Sequence, residues 1–169
     1  MLNIINDLKP FIEDCYRRIN VREYAKIIHV SPPTASKLLV SYHTEGLLQR
    51  DMYKNFIFFY ANKESRDFVD LSRIYWRYRL KEVIVYMEKK LTNPVIILFG
   101  SLSKAETKQD SDVDLAVFAY KKELNIREFE KKFKRRIQIF WFKSTKDIKN
   151  KELANNIVNG YSLGGRVSI

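Results

Sequence analysis

Residues 99–118, FGSLSKAETKQDSDVDLAVF, hold the side chains best placed for chemistry. Asp112 and Asp114 stand two residues apart at the head of an apolar run. In a strand, side chains at i and i+2 leave the same face, so both carboxylates point one way while Val113, Leu115 and Val117 face a core. Two carboxylates at that separation suit a divalent cation, and Mg²⁺ favours a few carboxylates together with phosphate oxygens and water. Upstream, with ten residues between the pair and Asp112, stand Gly100, which lets backbone approach a phosphate closely, and Ser101, which offers a hydroxyl, with amide donors if LSKAE opens a helix. Pro94 and the run VIILF before the glycine predict a strand covered on both faces.

The spacing is specific. Four fixed positions, Gly100, Ser101, Asp112 and Asp114, should recur by chance about 0.003 times in a chain of this length. The pattern resembles the nucleotidyltransferase signature of the DNA polymerase beta superfamily, over about residues 70–142, and looks like the minimal nucleotidyltransferases of bacteria and archaea, some of which are antitoxins that adenylylate a partner. The resemblance implies that Gly100 and Ser101 hold the β and γ phosphates of an NTP, with ATP expected. It implies that Asp112 and Asp114 bind Mg²⁺ and align the α-phosphate for in-line attack, with Lys104 as an extra phosphate contact. The acceptor would be a hydroxyl on RNA or on a partner protein such as a toxin.

Active members of that superfamily carry a third carboxylate on a neighbouring strand. Here the matching strand is IQIFWF, residues 137–142, and the slot falls on Gln138, whose amide can hydrogen-bond but cannot act as a base. Glu123, Glu128 and Glu130, in the stretch before it, are the acids nearest in sequence that could substitute. Acids in such a helix more often pair with lysines one turn away. Two readings follow: an Mg²⁺-dependent transferase, or a nucleotide-binding regulator with weak or no catalysis.

The elements around this segment divide the chain. Residues 1–62 carry eight basic against six acidic residues, whereas residues 63–169 carry twenty-three against fourteen. Leu2, Ile4, Ile5, Leu8, Phe11, Ile12, Cys15 and Ile19 have helical spacing, interrupted at Pro10, which can instead start a second helix. Asn20 with Glu23, and Ser31 with Pro32, predict the starts of two further helices, one of about eight residues and one over 32–44. Ala25 is small where the two must pack closely. LLQRD and NFIFFYAN read as strands around the turn MYKN. This order resembles the winged-helix family of DNA-binding domains over residues 1–62. In that family the second helix of the pair enters the major groove and the hairpin touches the backbone, which puts Thr34, Lys37 and Ser41 at the bases and Arg50 and Lys54 at the wing. Double-stranded DNA is then a partner, and a homodimer reading two half-sites is expected.

Residues 62–93 lack interior Gly and Pro and read as a helical bridge. KKFKRR, residues 131–136, is the densest basic run and reads as a solvated helix end. The tail KELANNIVNGYSLGGRVSI suggests a short helix, a Gly-rich turn and a closing strand, without chemistry. The expected fold class is α+β: a winged helix over 1–62, then a bridge and a small polymerase-beta-like domain over 63–169, a mixed sheet flanked by helices. A net charge of +11 points to an anionic partner, nucleic acid or nucleotide. One cysteine, Cys15, the lack of an apolar run of about 20 residues and an N-terminus without leader character favour a cytoplasmic protein without a membrane partner.

Overall fold

The computed structural model describes residues 3–165. The chain folds as two compact units, residues 1–75 with 105–109, and residues 76–104 with 110–169. Among the described residues, seven helices and two sheets make it α+β.

In the first unit, α1 (Asn3–Glu13) runs through Pro10 rather than restarting there. One face buries Ile5, Leu8, Phe11 and Ile12, which offsets the backbone hydrogen bond that proline forgoes. The expected extension to Ile19 does not form. Ile19 and Asn20 are a two-residue strand, β1, paired with Phe59 and Phe58. Leu2 lies outside the described residues.

Asn20 caps α2 (Val21–Ile28), its Oδ1 accepting from the Glu23 amide at 3.0 Å. Ser31 caps α3 (Pro32–Thr44), with Pro32 at the first helical position. Strands β2 (Leu48–Tyr53) and β3 (Phe56–Ala61) form a hairpin whose two turn residues, Lys54 and Asn55, both have positive φ. That conformation continues strand twist, and Asn tolerates it. The sheet order is β1-β3-β2, all antiparallel. Tyr24 donates to the Asp7 carbonyl at 3.0 Å and Tyr42 to Asp7 Oδ2 at 2.7 Å, tying α1 to α2 and α3.

The bridge is two helices, α4 (Arg66–Arg79) and α5 (Lys81–Lys90), separated at Leu80. The second unit is built on β4 (Val95–Phe99), β5 (Val113–Phe118), β6 (Ile137–Phe142) and β7 (Tyr161–Gly164), in the order β6-β5-β4-β7. β5 and β6 are parallel, and the other pairs are antiparallel, so the sheet is mixed. Ile97, Phe99 and Ala116 line one face with Ile157 of α7 (Lys151–Val158), while Ile96, Leu98, Val113, Leu115 and Val117 alternate to the other and are also buried. Burial on both faces is what an unbroken apolar VIILF requires.

Helix α6 (Arg127–Phe133) links β5 to β6 and ends at Lys134 in the left-handed region. The tail's helix forms as α7. Its strand, β7, precedes Gly165 and pairs with β4, and residues 166–169 lie outside the described residues. Among the described residues, no helix is long and apolar enough to cross a membrane.

Candidate functional site

The second unit gathers the motif where β4 ends and β5 begins. Phe99 pairs with Asp114, so Gly100 follows at the level of the acids. Gly100 has φ +72, and a Cβ there would stand 2.5 Å from Asp114 Oδ2. Glycine is required twice, by the backbone conformation and by the carboxylate lying over it. The chain then turns through a single 3₁₀ turn, Ser101–Lys104, closed by Ser103 Oγ donating to the Gly100 carbonyl at 2.9 Å. The helical opening on which amide donors from LSKAE depend is limited to this single turn. Ala105 follows with φ 55 and is fully buried.

Asp112 precedes β5, and Asp114 is its second residue, so the carboxylates share the face that strand alternation predicts. Arg135 Nη1 donates to the Ser111 carbonyl at 2.7 Å and the Val113 amide to the Arg136 carbonyl at 2.8 Å, which fixes the backbone on both sides of Asp112. Asp114 is half-buried, and its carboxyl is pushed up to about 6, first by burial and then by the charge of Asp112.

Gln138 lies directly across from Asp114 in the parallel β5–β6 pair, and its Nε2 donates to Asp112 Oδ2. The amide thus stands beside both carboxylates and is engaged with one of them. Among the described residues no three acidic, histidine or cysteine side chains come together as a metal site. Of the three glutamates that could have substituted, Glu130 accepts from the Ile137 amide at 2.9 Å and caps β6, while Glu123 lines an open cleft with Tyr86 and Lys122. Neither they nor Glu128 completes a triad.

Lys104 is held at 2.7 Å from Asn156 Oδ1 of α7. Sequence reasoning assigned the tail no chemistry and missed this contact, which joins residues 52 positions apart. The first unit carries the remaining predicted residues. Thr34, Lys37 and Ser41 are exposed along α3, Thr34 Oγ1 lying 2.8 Å from Ser31 Oγ and Ser41 donating to Glu45 at 2.9 Å. Arg50 is exposed on β2, and Lys54 is the first turn residue of the hairpin.

Residues 81–163 match the family model described as Polymerase beta, Nucleotidyltransferase. The matched stretch contains the Gly-Ser pair, both aspartates and Gln138, and continues through α7 into β7. It supports the polymerase beta superfamily for this part of the chain, and nucleoside monophosphate transfer as the activity at family level. No curated protein matches the chain.

Proposed function

We propose that the second unit binds an NTP, ATP by expectation, with Mg²⁺, and transfers its nucleoside monophosphate to a hydroxyl of a protein or an RNA, in an antitoxin-like role. The observation that carries this reading is the packing of Gly100 under Asp114, with Asp112 on the same face. Two like-charged carboxylates, one of them raised first by its partial burial and then by the charge of the other, are poised for a cation from outside the chain, so the residues fit the metal. Asp112 and Asp114 would hold it, Gly100 and Ser101 would admit the terminal phosphates, and Asn156 would keep the Lys104 amine in place beside them. When bound, the metal neutralises charge developing on the phosphoryl oxygens.

The hydrogen bond from Gln138 to Asp112 favours a second reading. A neutral amide cannot take the proton of an attacking hydroxyl, so the unit would bind nucleotide and report it to a DNA-binding partner unit. The order helix, strand, helix, helix, hairpin in the first unit supports a winged helix, with Thr34, Lys37 and Ser41 of α3 facing the bases and Arg50 a phosphate.

Incubation with α-labelled NTPs, Mg²⁺ and candidate acceptors decides between these. Calorimetry anchors both, because Asp112→Asn with Asp114→Asn keeps the shape and removes the charge. Mg²⁺-dependent NTP affinity should fall at least tenfold, and unchanged affinity would refute the site.

A further inference from the structure

Four large apolar side chains stand at the end of the β2–β3 hairpin, Met52, Tyr53, Phe56 and Ile57, exposed to 71%, 59%, 58% and 41%. Tyr53 pairs with Phe56 and Met52 with Ile57, and successive cross-strand pairs point to opposite faces. The tip is therefore apolar on both sides, and a flat partner could cover only one of them. It fits a groove. Its turn carries a single charge, Lys54, whose Nζ lies 5.4 Å from the centre of the Tyr53 ring.

The same unit contains a groove of about 550 Å³ floored by Ile4, Leu47, Leu71 and Ile74. Its rim is acidic, with Glu45, Asp67 and Asp70, although Asp70 is already paired with Arg73 at 3.3 Å. On a chain of net charge +11, an apolar floor rimmed by Glu45 and Asp67 beside the Asp70–Arg73 pair is locally acidic and complementary to one lysine on an apolar tip. We propose that the hairpin tip is a docking element that enters this acidic-rimmed groove on a second copy of the chain. Each copy offers one tip and one groove, so a two-fold exchange uses both twice. The four tip side chains present on the order of 450 Å². With the groove walls and both exchanges counted, the contact approaches the roughly 1,600 Å² of a stable interface. Duplex DNA is the poorer occupant, since it offers phosphates to a tip with one cation and four apolar groups. Lys54 then meets carboxylates of the second copy. The proposal is independent of the nucleotidyl-transfer reading.

Sedimentation equilibrium of the full chain tests it, with circular dichroism confirming the fold of each variant. Wild type should dimerise reversibly, and Tyr53→Ser with Phe56→Ser should raise the dissociation constant at least 100-fold, as losing two buried aromatics predicts. Asp67→Lys should weaken the dimer about tenfold, and Lys54→Glu in the same chain should recover most of that loss. Mixing the tip variant with the Asp67→Lys variant should yield heterodimers from the one intact tip and its intact groove. A wild type that stays monomeric up to about 100 μM would overturn the proposal. So would a tip variant that assembles as well as wild type, including one that assembles normally while losing duplex binding, which would make the tip a DNA contact.

Discussion

Replacing Gln138 with aspartate tests the site at the position where it departs from a three-acid arrangement. The substitution removes the amide that donates to Asp112, a hydrogen bond to a charged group worth about 1.5–3 kcal/mol. It also sets a carboxylate across from Asp114, where cross-strand neighbours stand about 5 Å apart. At an effective dielectric near 20, two charges at that distance repel by about 3 kcal/mol, reduced here because the site is only half-buried. Without divalent cation at pH 8, Gln138→Asp should therefore lose about 3–5 kcal/mol of stability, a fall in Tm of roughly 10 °C in a chain of this size. Millimolar Mg²⁺ should restore most of it, because the third acid becomes a ligand. In the same sample, transfer from α-labelled ATP should rise by about 10²–10⁴-fold, the usual contribution of a positioned base. Thermal unfolding in chelator and in Mg²⁺, paired with a transfer assay, reads both effects. Equal destabilisation in the two media would show that position 138 does not face the metal site. A wild type that already transfers at an ordinary enzymatic rate, with a variant no faster, would refute the assignment of Gln138 to the base's position.

Asp114 titrates near 6 when folded against 3.8 when unfolded, so folding holds its proton more tightly. Its contribution is full below about pH 3.8 and is lost as pH rises through about 6; metal-free wild type should lose about 1–2 kcal/mol across that window after allowance for solvent exposure. Asp114→Asn should flatten that slope in a urea titration. Gly100→Ala and Gly46→Ala form a matched pair, with φ +72 and +74, but only at Gly100 would the new Cβ meet another atom. Gly46→Ala should cost about 1–2 kcal/mol and Gly100→Ala more, and only Gly100→Ala should lower Mg²⁺-NTP affinity tenfold or more in calorimetry. Lys37→Ala with Arg50→Ala should lower the salt dependence of duplex binding by about two counterions, and an unchanged slope would remove both from the DNA contacts.

Much of the local structure was legible because it is decided within a few residues. Asn20 and Ser31 cap helices through hydrogen bonds to amides three positions on, which the one-dimensional order of side chains already determines. Asp112 and Asp114 share a face because strand alternation has a fixed period, and the neutral residue opposite them could be located once two apolar strands were recognised. What tertiary structure decided is which distant groups meet. Nothing local marks Ile19 and Asn20 as a strand, since two residues show no periodicity, and they become one only when β3 arrives beside them. Glu130 is one of three similar glutamates in sequence, yet only the chain's return into β6 gives it the Ile137 amide to cap. Lys104 reads in the sequence only as an extra phosphate contact until α7 brings Asn156 to it, and Gln138 reads as a missing base until its amide is found on Asp112. Composition and spacing determine what each residue can do. Packing of elements far apart in the chain determines whether a partner stands within the roughly 3 Å that a hydrogen bond or a metal ligand requires.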